Sequence, residues 1–363
     1  MPVVVVFDAL AHAWNVLSVF ACMLLSALFG GCESFEFLAL RGNKVLLRPV
    51  HRESAVSEDD LMESYEWIAS CPGKGLREAW IKHLGGSLGV PDASIEIIVQ
   101  VMAKMHTASL VLDDIEDDSV KRRGIPAAHI QFGIPLSVNS ACWALFQALD
   151  RLKELKLPAE KQLAVQDLMR AELLGAHHGQ GLDIYWRTHG VCPTKEEYLK
   201  MVSQKTTTLF RLGYLLLVAA SPNAPSSGLP SKSDLEAIET FGKYFQIRDD
   251  YANLASAQYS AKKGFCEDFE EGKFSYPIVH CLSNAKAYPR QANELFLWLR
   301  RRPKSRFSKQ KMLQLLRDTK AMAATKQELE ATLRLLKKQL AKSRLQKSFL
   351  PIMSALSGSK KTK

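Results

Sequence analysis

From about residue 58 onward, the apolar positions of this chain recur with a helical period. Leu61, Tyr65 and Ile68 fall three or four apart, on one face of a helix. A long apolar run opens after Pro91-Asp92 and predicts a helix over 93–117. The same pattern predicts helices near 138–155, 160–185, 195–220, 233–258, 275–284, 308–318 and 326–345. Breakers separate them: Gly124-Ile125-Pro126, Gly133-Ile134-Pro135, Pro158, Cys192-Pro193 and a loop over 221–230 rich in Pro, Ser and Asn. Runs of β-branched residues are confined to 3–6 and 44–47. The body therefore reads as all-α and as one domain.

The segment before it is different. Between Asp8 and Glu33 lie 24 residues without a formal charge, rich in Val, Leu, Phe and Ala. A bilayer-spanning helix needs about 20 residues, and the basic start of a secretory signal is absent. Arg41, Lys44 and Arg48 follow the segment and nothing basic precedes it. Membrane contact through residues 9–32 would thus leave the body in the cytosol. The alternative is an amphipathic or irregular extension of a cytoplasmic protein. The expected organisation is an apolar extension or anchor over 1–42, a core over 43–299 and a basic helical portion over 300–363.

Composition adds two limits. The 363 residues are 47% hydrophobic, enough for one large core or two. None of the 7 cysteines forms a CxxC pair and no histidine cluster accompanies them, so a reduced intracellular protein without a zinc site is expected. The net charge of +10 is uneven: from Arg300 onward stand 19 Lys and Arg against 3 Asp and Glu, leaving −6 for the rest. The basic stretch is either a solvated helix face or a surface for an anionic partner. With the body mildly acidic, nucleic acid is not expected as a partner.

The chemistry lies in two acidic clusters. Asp113-Asp114-Ile115-Glu116-Asp117-Asp118 closes the apolar helix, and Asp113 and Asp117 share a face one turn apart. Like charges at that spacing destabilise a helix unless compensated. Either the run is a solvated acidic helix end, or its hard oxygens bind magnesium together with substrate phosphates. A second apolar helix carries Asp249-Asp250 with Asn253 four residues after Asp249, trailed by Lys263 and Lys273. Lys121-Arg122-Arg123 follows the first cluster, and Pro72-Gly73-Lys74-Gly75-Leu76-Arg77 offers another cation pair before a helix. Its glycine spacing excludes a Walker A loop. Two acidic faces with basic flanks point to a metal–diphosphate clamp.

With these residues stand His106-Thr107-Ala108-Ser109-Leu110, the run from Gly179 through Asp183 to Arg187, and Lys205-Thr206. In that order, from about residue 45 to 282, they resemble the eukaryotic, especially fungal, geranylgeranyl diphosphate synthases of the trans-prenyltransferase family. The resemblance implies an isoprenoid-synthase helical bundle around a central cavity, normally a homo-oligomer. It implies condensation of isopentenyl diphosphate with dimethylallyl, geranyl or farnesyl diphosphate to the C20 product, supplying terpenoid biosynthesis. Lys74, Arg77, His106 and Arg123 are implied to hold isopentenyl diphosphate. Asp113, Asp117 and Asp249 are implied to be catalytic and to hold Mg2+, up to three ions per site. Arg122, Lys205, Thr206, Gln246, Asn253, Lys263 and Lys273 are implied to contact the allylic diphosphate, directly or through metal. Asp114, Gln180 and Asp183 match positions near the site.

Product length follows from the same resemblance. The growing chain descends beside the helix of the first acidic motif, where Ala108 and Ser109 lie about one turn, roughly 6 Å, below the metals. Farnesyl-making relatives place an aromatic ring there. The next floor is expected at Trp143, Leu145 and Phe146 with His177 nearby. C20 is the expected product, with C25 as the alternative. Three departures from the family pattern stand out. Thr207 and Thr208 replace a usual glycine pair and threaten to crowd the allylic diphosphate, Asp118 replaces a common asparagine, and both ends lack clear counterparts. The second metal motif of terpene cyclases is absent, and a non-catalytic subunit would have lost site residues that are all present here.

Overall fold

The computed structural model describes residues 35–38, 46–49, 55–71, 73, 75–223, 230–256 and 265–357. The 9–32 segment, Lys74 and Lys263 lie outside the described residues. The chain divides into two units, residues 1–58 and 59–363. In the first, strands β1 (Phe35–Leu38) and β2 (Leu46–Pro49) pair antiparallel, Phe35 opposite Pro49 and Leu38 opposite Leu46. The β-branched run at 44–47 thus leads into a strand.

Helix α1 (Glu58–Ala69) is followed by α2 (Leu76–Ser87) and α3 (Asp92–Glu116), which starts after Pro91 with Asp92 in its first turn. Two short strands, β3 (Lys121–Arg122) and β4 (Ile125–Pro126), form a tight hairpin after α3. Next come α4 (Ala128–Phe132) and α5 (Ile134–Arg151), the latter with Pro135 in its opening turn, where a missing N–H costs nothing. Helix α6 (Ala159–His189) stops at Gly190, whose φ of 67° only glycine adopts freely. Helix α7 (Lys195–Val202) opens on a reciprocal capping box between Thr194 and Glu197.

The helix predicted over 195–220 is interrupted. A π turn at Ser203–Thr207 separates α7 from α8 (Thr208–Ala220). Helix α9 (Lys232–Ala255) carries the second acidic cluster. The short α10 (Glu267–Glu271), α11 (Tyr276–Ser283), α12 (Pro289–Arg300), α13 (Arg306–Asp318), α14 (Ala321–Leu340) and α15 (Gln346–Ser357) complete the order. Residues 300–357 pack within the second unit.

Three apolar clusters hold this unit together. The largest joins Trp80 and Leu84 of α2, Ile98 and Met102 of α3, Leu216 of α8 and Phe241 of α9. Each such fully buried side chain stabilises the fold by about 1.5–3 kcal/mol. A second, around Tyr198, Phe269, Ile278, Leu295 and Met312, lies under α10 to α13. The third sets Met62, Tyr65 and Ile68 of α1 with Ala108 and Val111 of α3 and Ala141 and Ala144 of α5, where small side chains let helices approach closely. Among the described residues, α3 is the one helix long and apolar enough to cross a membrane, but half of that stretch is buried in the bundle.

Candidate active site

The last turn of α3 presents Asp113 beside several cationic groups. Its carboxylate accepts from Gln180 Nε2 at 3.2 Å and lies 3.3 Å from Arg122 and 3.4 Å from Lys205. Burial pushes this carboxyl up, but Lys205, Arg122 and Lys273 outweigh it and hold it well below the usual range. Asp117 behaves oppositely: burial and then Asp113 and Glu271 push it up to about 7. Its partner is Arg187, which also donates to the Glu116 carbonyl at 3.2 Å. Arg187 closes the motif that begins at Gly179, and the resemblance implies no role for it. The available signal was its four-residue spacing from Asp183, which puts both on one face of α6.

Asp114 points the other way. It is fully buried and accepts from Arg122 Nε at 2.8 and 3.0 Å through its two oxygens. Burial raises its pKa against the pull of this guanidinium. Arg122 is thereby aimed along the carboxylate row. Asp183, also buried, accepts from Lys205 Nζ at 2.7 Å. Lys205 is desolvated, yet Asp183, Asp113 and Asp117 keep it firmly protonated.

The second cluster repeats the division. Asp249 is partly exposed on α9, whereas Asp250 is buried. Asp250 accepts from Tyr198 Oη at 2.5 Å, the Tyr276 backbone N–H at 2.7 Å and Gln246 Nε2 at 2.8 Å, with Lys273 at 3.9 Å. Gln246 in turn accepts from Thr206 Oγ1 at 2.6 Å. Asn253 is buried, and its Oδ1 accepts from the Asp268 N–H at 3.4 Å, a long contact. Lys273 keeps its charge despite burial because Asp268, Asp250 and Asp183 surround it. Lys309 of the basic portion also serves here: it is buried, donates to the Phe265 carbonyl at 2.6 Å and pairs with Glu270.

On the other side of the Asp113 face stand Arg77, His106 and Arg123. Arg77 opens α2, and burial and then Arg123 pull it down to about 10. Its Nε has no hydrogen-bond partner, and its guanidinium lies 5.2 Å from the centre of the Phe210 ring. Burial, Arg77, Arg123 and Arg122 depress His106 well below the ordinary imidazole value, so it is neutral at pH 7. Arg123, at φ 53°, donates to the Cys71 carbonyl at 2.6 Å and so braces the turn before Arg77. Cationic groups crowd together here with a spare donor, the arrangement an incoming anion relieves.

The candidate length-setting residues do not all face one way. Ala108 is fully buried beneath α5, while Ser109 is exposed on the next face of α3 with its hydroxyl donating to the His106 carbonyl at 2.8 Å. Leu145 and Trp143 are partly buried against the α1–α5 cluster. Phe146 is 67% exposed, and His177 is exposed with Nδ1 2.9 Å from the Leu173 carbonyl. Thr207 and Thr208, expected to crowd the site, turn into the protein instead. Both are buried, and Thr208 Oγ1 donates to the Gln204 carbonyl at 2.5 Å. Asp118 stands 3.9 Å from Arg302.

The donor chemistry suits magnesium. No three His, Cys, Asp or Glu side chains already converge on one point among the described residues. Magnesium, however, takes one or two carboxylates together with water and substrate phosphates rather than a protein cage. The raised Asp117 beside Asp113 is the repulsion a divalent cation removes, and Asp268 keeps a buried carboxyl oxygen without a partner.

Residues 58–316 match the polyprenyl synthetase family model. A geranylgeranyl pyrophosphate synthase of Dictyostelium discoideum is 38% identical over 75% of this chain and 85% of its own length. One from Mucor circinelloides is 40% identical over 63% of this chain and 72% of its own. A bifunctional sesterterpene synthase of Talaromyces wortmannii is 40% identical over 68% of this chain, which spans only 32% of that larger protein. A family match over residues 58–316, agreeing with two carboxylate clusters and the cationic group of Arg77, His106 and Arg123, shows that this chain belongs to the polyprenyl synthetase family.

Proposed function

We propose that this chain is a geranylgeranyl diphosphate synthase, adding isopentenyl diphosphate to dimethylallyl, geranyl and farnesyl diphosphates. The observation that carries the reading is the separation of two anion sites along α3. Asp113, Asp117, Arg122 and Lys205 mix carboxylates with cations, as a metal-bridged diphosphate needs, while Arg77, His106 and Arg123 bring together two guanidinium groups and a neutral imidazole.

Asp113, Asp117 and Asp249 would hold magnesium, which when bound neutralises charge developing on the departing diphosphate. Arg122 and Lys205 lie where they stabilise that same charge as the allylic carbon–oxygen bond breaks. Asp114 and Asp183 fix the two cations so that little reorganisation accompanies ionisation. Arg77, Arg123 and neutral His106 hold isopentenyl diphosphate so that its double bond meets the allylic cation. The proton then lost passes to the released diphosphate, and no protein nucleophile takes part. Exclusion of water protects the cation.

A homo-oligomer belongs to this reading. Ile134, Val138 and Phe146 on α5 and Leu163 and Leu174 on α6 are large, apolar and exposed, a face suited to a second copy of the chain. Light scattering on the eluted protein tests it, with a monomer as the contrary result.

The decisive experiment is mass analysis of products from isopentenyl diphosphate with each short allylic diphosphate. C20 is the expected main product from every starter. Ser109→Phe should shorten it to mainly C15 by filling the open face of α3. A Ser109→Phe enzyme that still makes mainly C20 would show that the chain does not run past Ser109.

A further inference from the structure

The π turn at Ser203–Thr207 is the one place where the regular hydrogen bonding between α7 and α8 is broken, and it carries Lys205 and Thr206. An inserted π turn costs helix geometry and recurs where function needs a side chain re-aimed. Two helices each present a glycine to it. On α6, a Cβ at Gly179 would sit 2.8 Å from the backbone nitrogen of Lys205 and 2.8 Å from Gln204 Cβ. On α9, a Cβ at Gly242 would sit 1.9 Å from Thr207 Oγ1, 2.7 Å from its Cβ and 2.8 Å from its Cγ2. Thr207 is fully buried, and its hydroxyl donates to the Val202 carbonyl at 3.4 Å, which holds the side chain against the notch.

We propose that Thr207 seated in the notch at Gly242 sets how deeply the π turn lies between α6 and α9, making both positioning residues for Lys205 and Thr206. The attachment has two points one helical turn apart on α9. Thr207 meets Gly242, and Thr206 donates to Gln246 four residues later. A turn seated at that depth brings Lys205 Nζ to 2.7 Å from Asp183 and 3.4 Å from Asp113. The threonine that departs from the family's glycine pair is thus the key of a lock and leaves the diphosphate uncrowded. The inference rests on the proposed role of Lys205 and Thr206 toward the allylic diphosphate.

The test is a kinetic double-mutant cycle on the full chain with both substrates varied. Gly242→Ala should raise the allylic KM and lower kcat, each by about tenfold, since small misplacements of positioning groups cost heavily. The isopentenyl KM should stay within about twofold, because its residues lie on other elements. Gly242→Ala with Thr207→Gly, which empties the key, should recover to within about threefold of the parent, a large non-additivity. An unchanged allylic KM in Gly242→Ala, or no recovery in the double variant, would overturn the lock. If Gly242→Ala does not fold, Thr207→Gly alone decides: an allylic KM raised about threefold supports it, and an unchanged one overturns it. Failure of the functional reading looks different, since the parent enzyme itself would then transfer no prenyl group.

Discussion

The two Asp-Asp pairs of this protein use the same dipeptide in the same way and secure it by different means. In each, the first residue is partly exposed and the second is buried: Asp114 at 0% exposure beside Asp113, and Asp250 at 1% beside Asp249. Asp114 is met by a full charge, the Arg122 guanidinium. Asp250 is met mainly by neutral donors, a tyrosine hydroxyl, a side-chain amide and a backbone N–H. The first buried carboxylate therefore aims a cation. The second ties α7, α9 and the start of α11 into one frame. A pair of adjacent acids need not be a pair of metal ligands.

The comparison can be broken in graded steps. Replacing Asp114 with alanine leaves Arg122 only its longer contact with Asp113, at 3.3 Å, and loss of one partner of a buried ion pair costs up to about 3–5 kcal/mol. Urea unfolding should show that loss, and a change under about 1 kcal/mol would mean that Asp114 anchors nothing. Asp113→Ala and Asp249→Ala should each lower turnover at least about a hundredfold, as expected on losing a charge-stabilising group. Near-normal turnover in either folded variant would end the equivalence of the two partly exposed acids. Asp250→Asn should cost only about 1–3 kcal/mol, because burial already pushes this carboxyl toward its neutral form and its partners are mostly uncharged. A loss equal to that of Asp114→Ala would erase the distinction drawn here. The mildest change, Tyr198→Phe, removes a single hydrogen bond and should lower stability by about 0.5–1.5 kcal/mol. Denaturation of that variant with unchanged stability would move the anchoring of Asp250 to Gln246 and Tyr276.

Much of this was legible in the sequence, and the remainder has physical reasons for being hidden. Helical periodicity and the Gly and Pro breakers located most of the bundle, and α3 was placed within a residue at each end. Helix α12 was not anticipated: its opening Pro289 reads as a breaker, although proline suits a first helical turn. Helix α15 lies in the portion expected to be helical, although Pro351 stands inside it. The π turn has no compositional mark at all, because its glycine notches come from helices distant in sequence. In the site, i,i+4 spacing exposed Asp113 with Asp117 and Asp249 with Asn253. It could not reveal that Asp114 and Asp250 turn inward or that Tyr198 waits there, since Tyr198 lies 52 residues from Asp250 along the chain. Ala108 and Ser109, adjacent and both small, read alike, yet successive helical positions differ by about 100° and only one is open.

One aromatic ring carries a consequence for how the molecule is made. Phe349 of α15 lies 5.4 Å from the ring of Trp80 on α2 and 4.7 Å from that of Phe241 on α9. It wedges the helix that carries Arg77 in its first turn against the helix that bears Asp249. Synthesis proceeds at roughly 5–20 residues per second, so both acidic motifs leave the ribosome seconds before this ring does. During that interval the nascent enzyme holds every proposed catalytic acid but lacks the ring that packs between their supporting helices. The aromatic packing that joins those two helices is therefore completed late, when the wedge is seated.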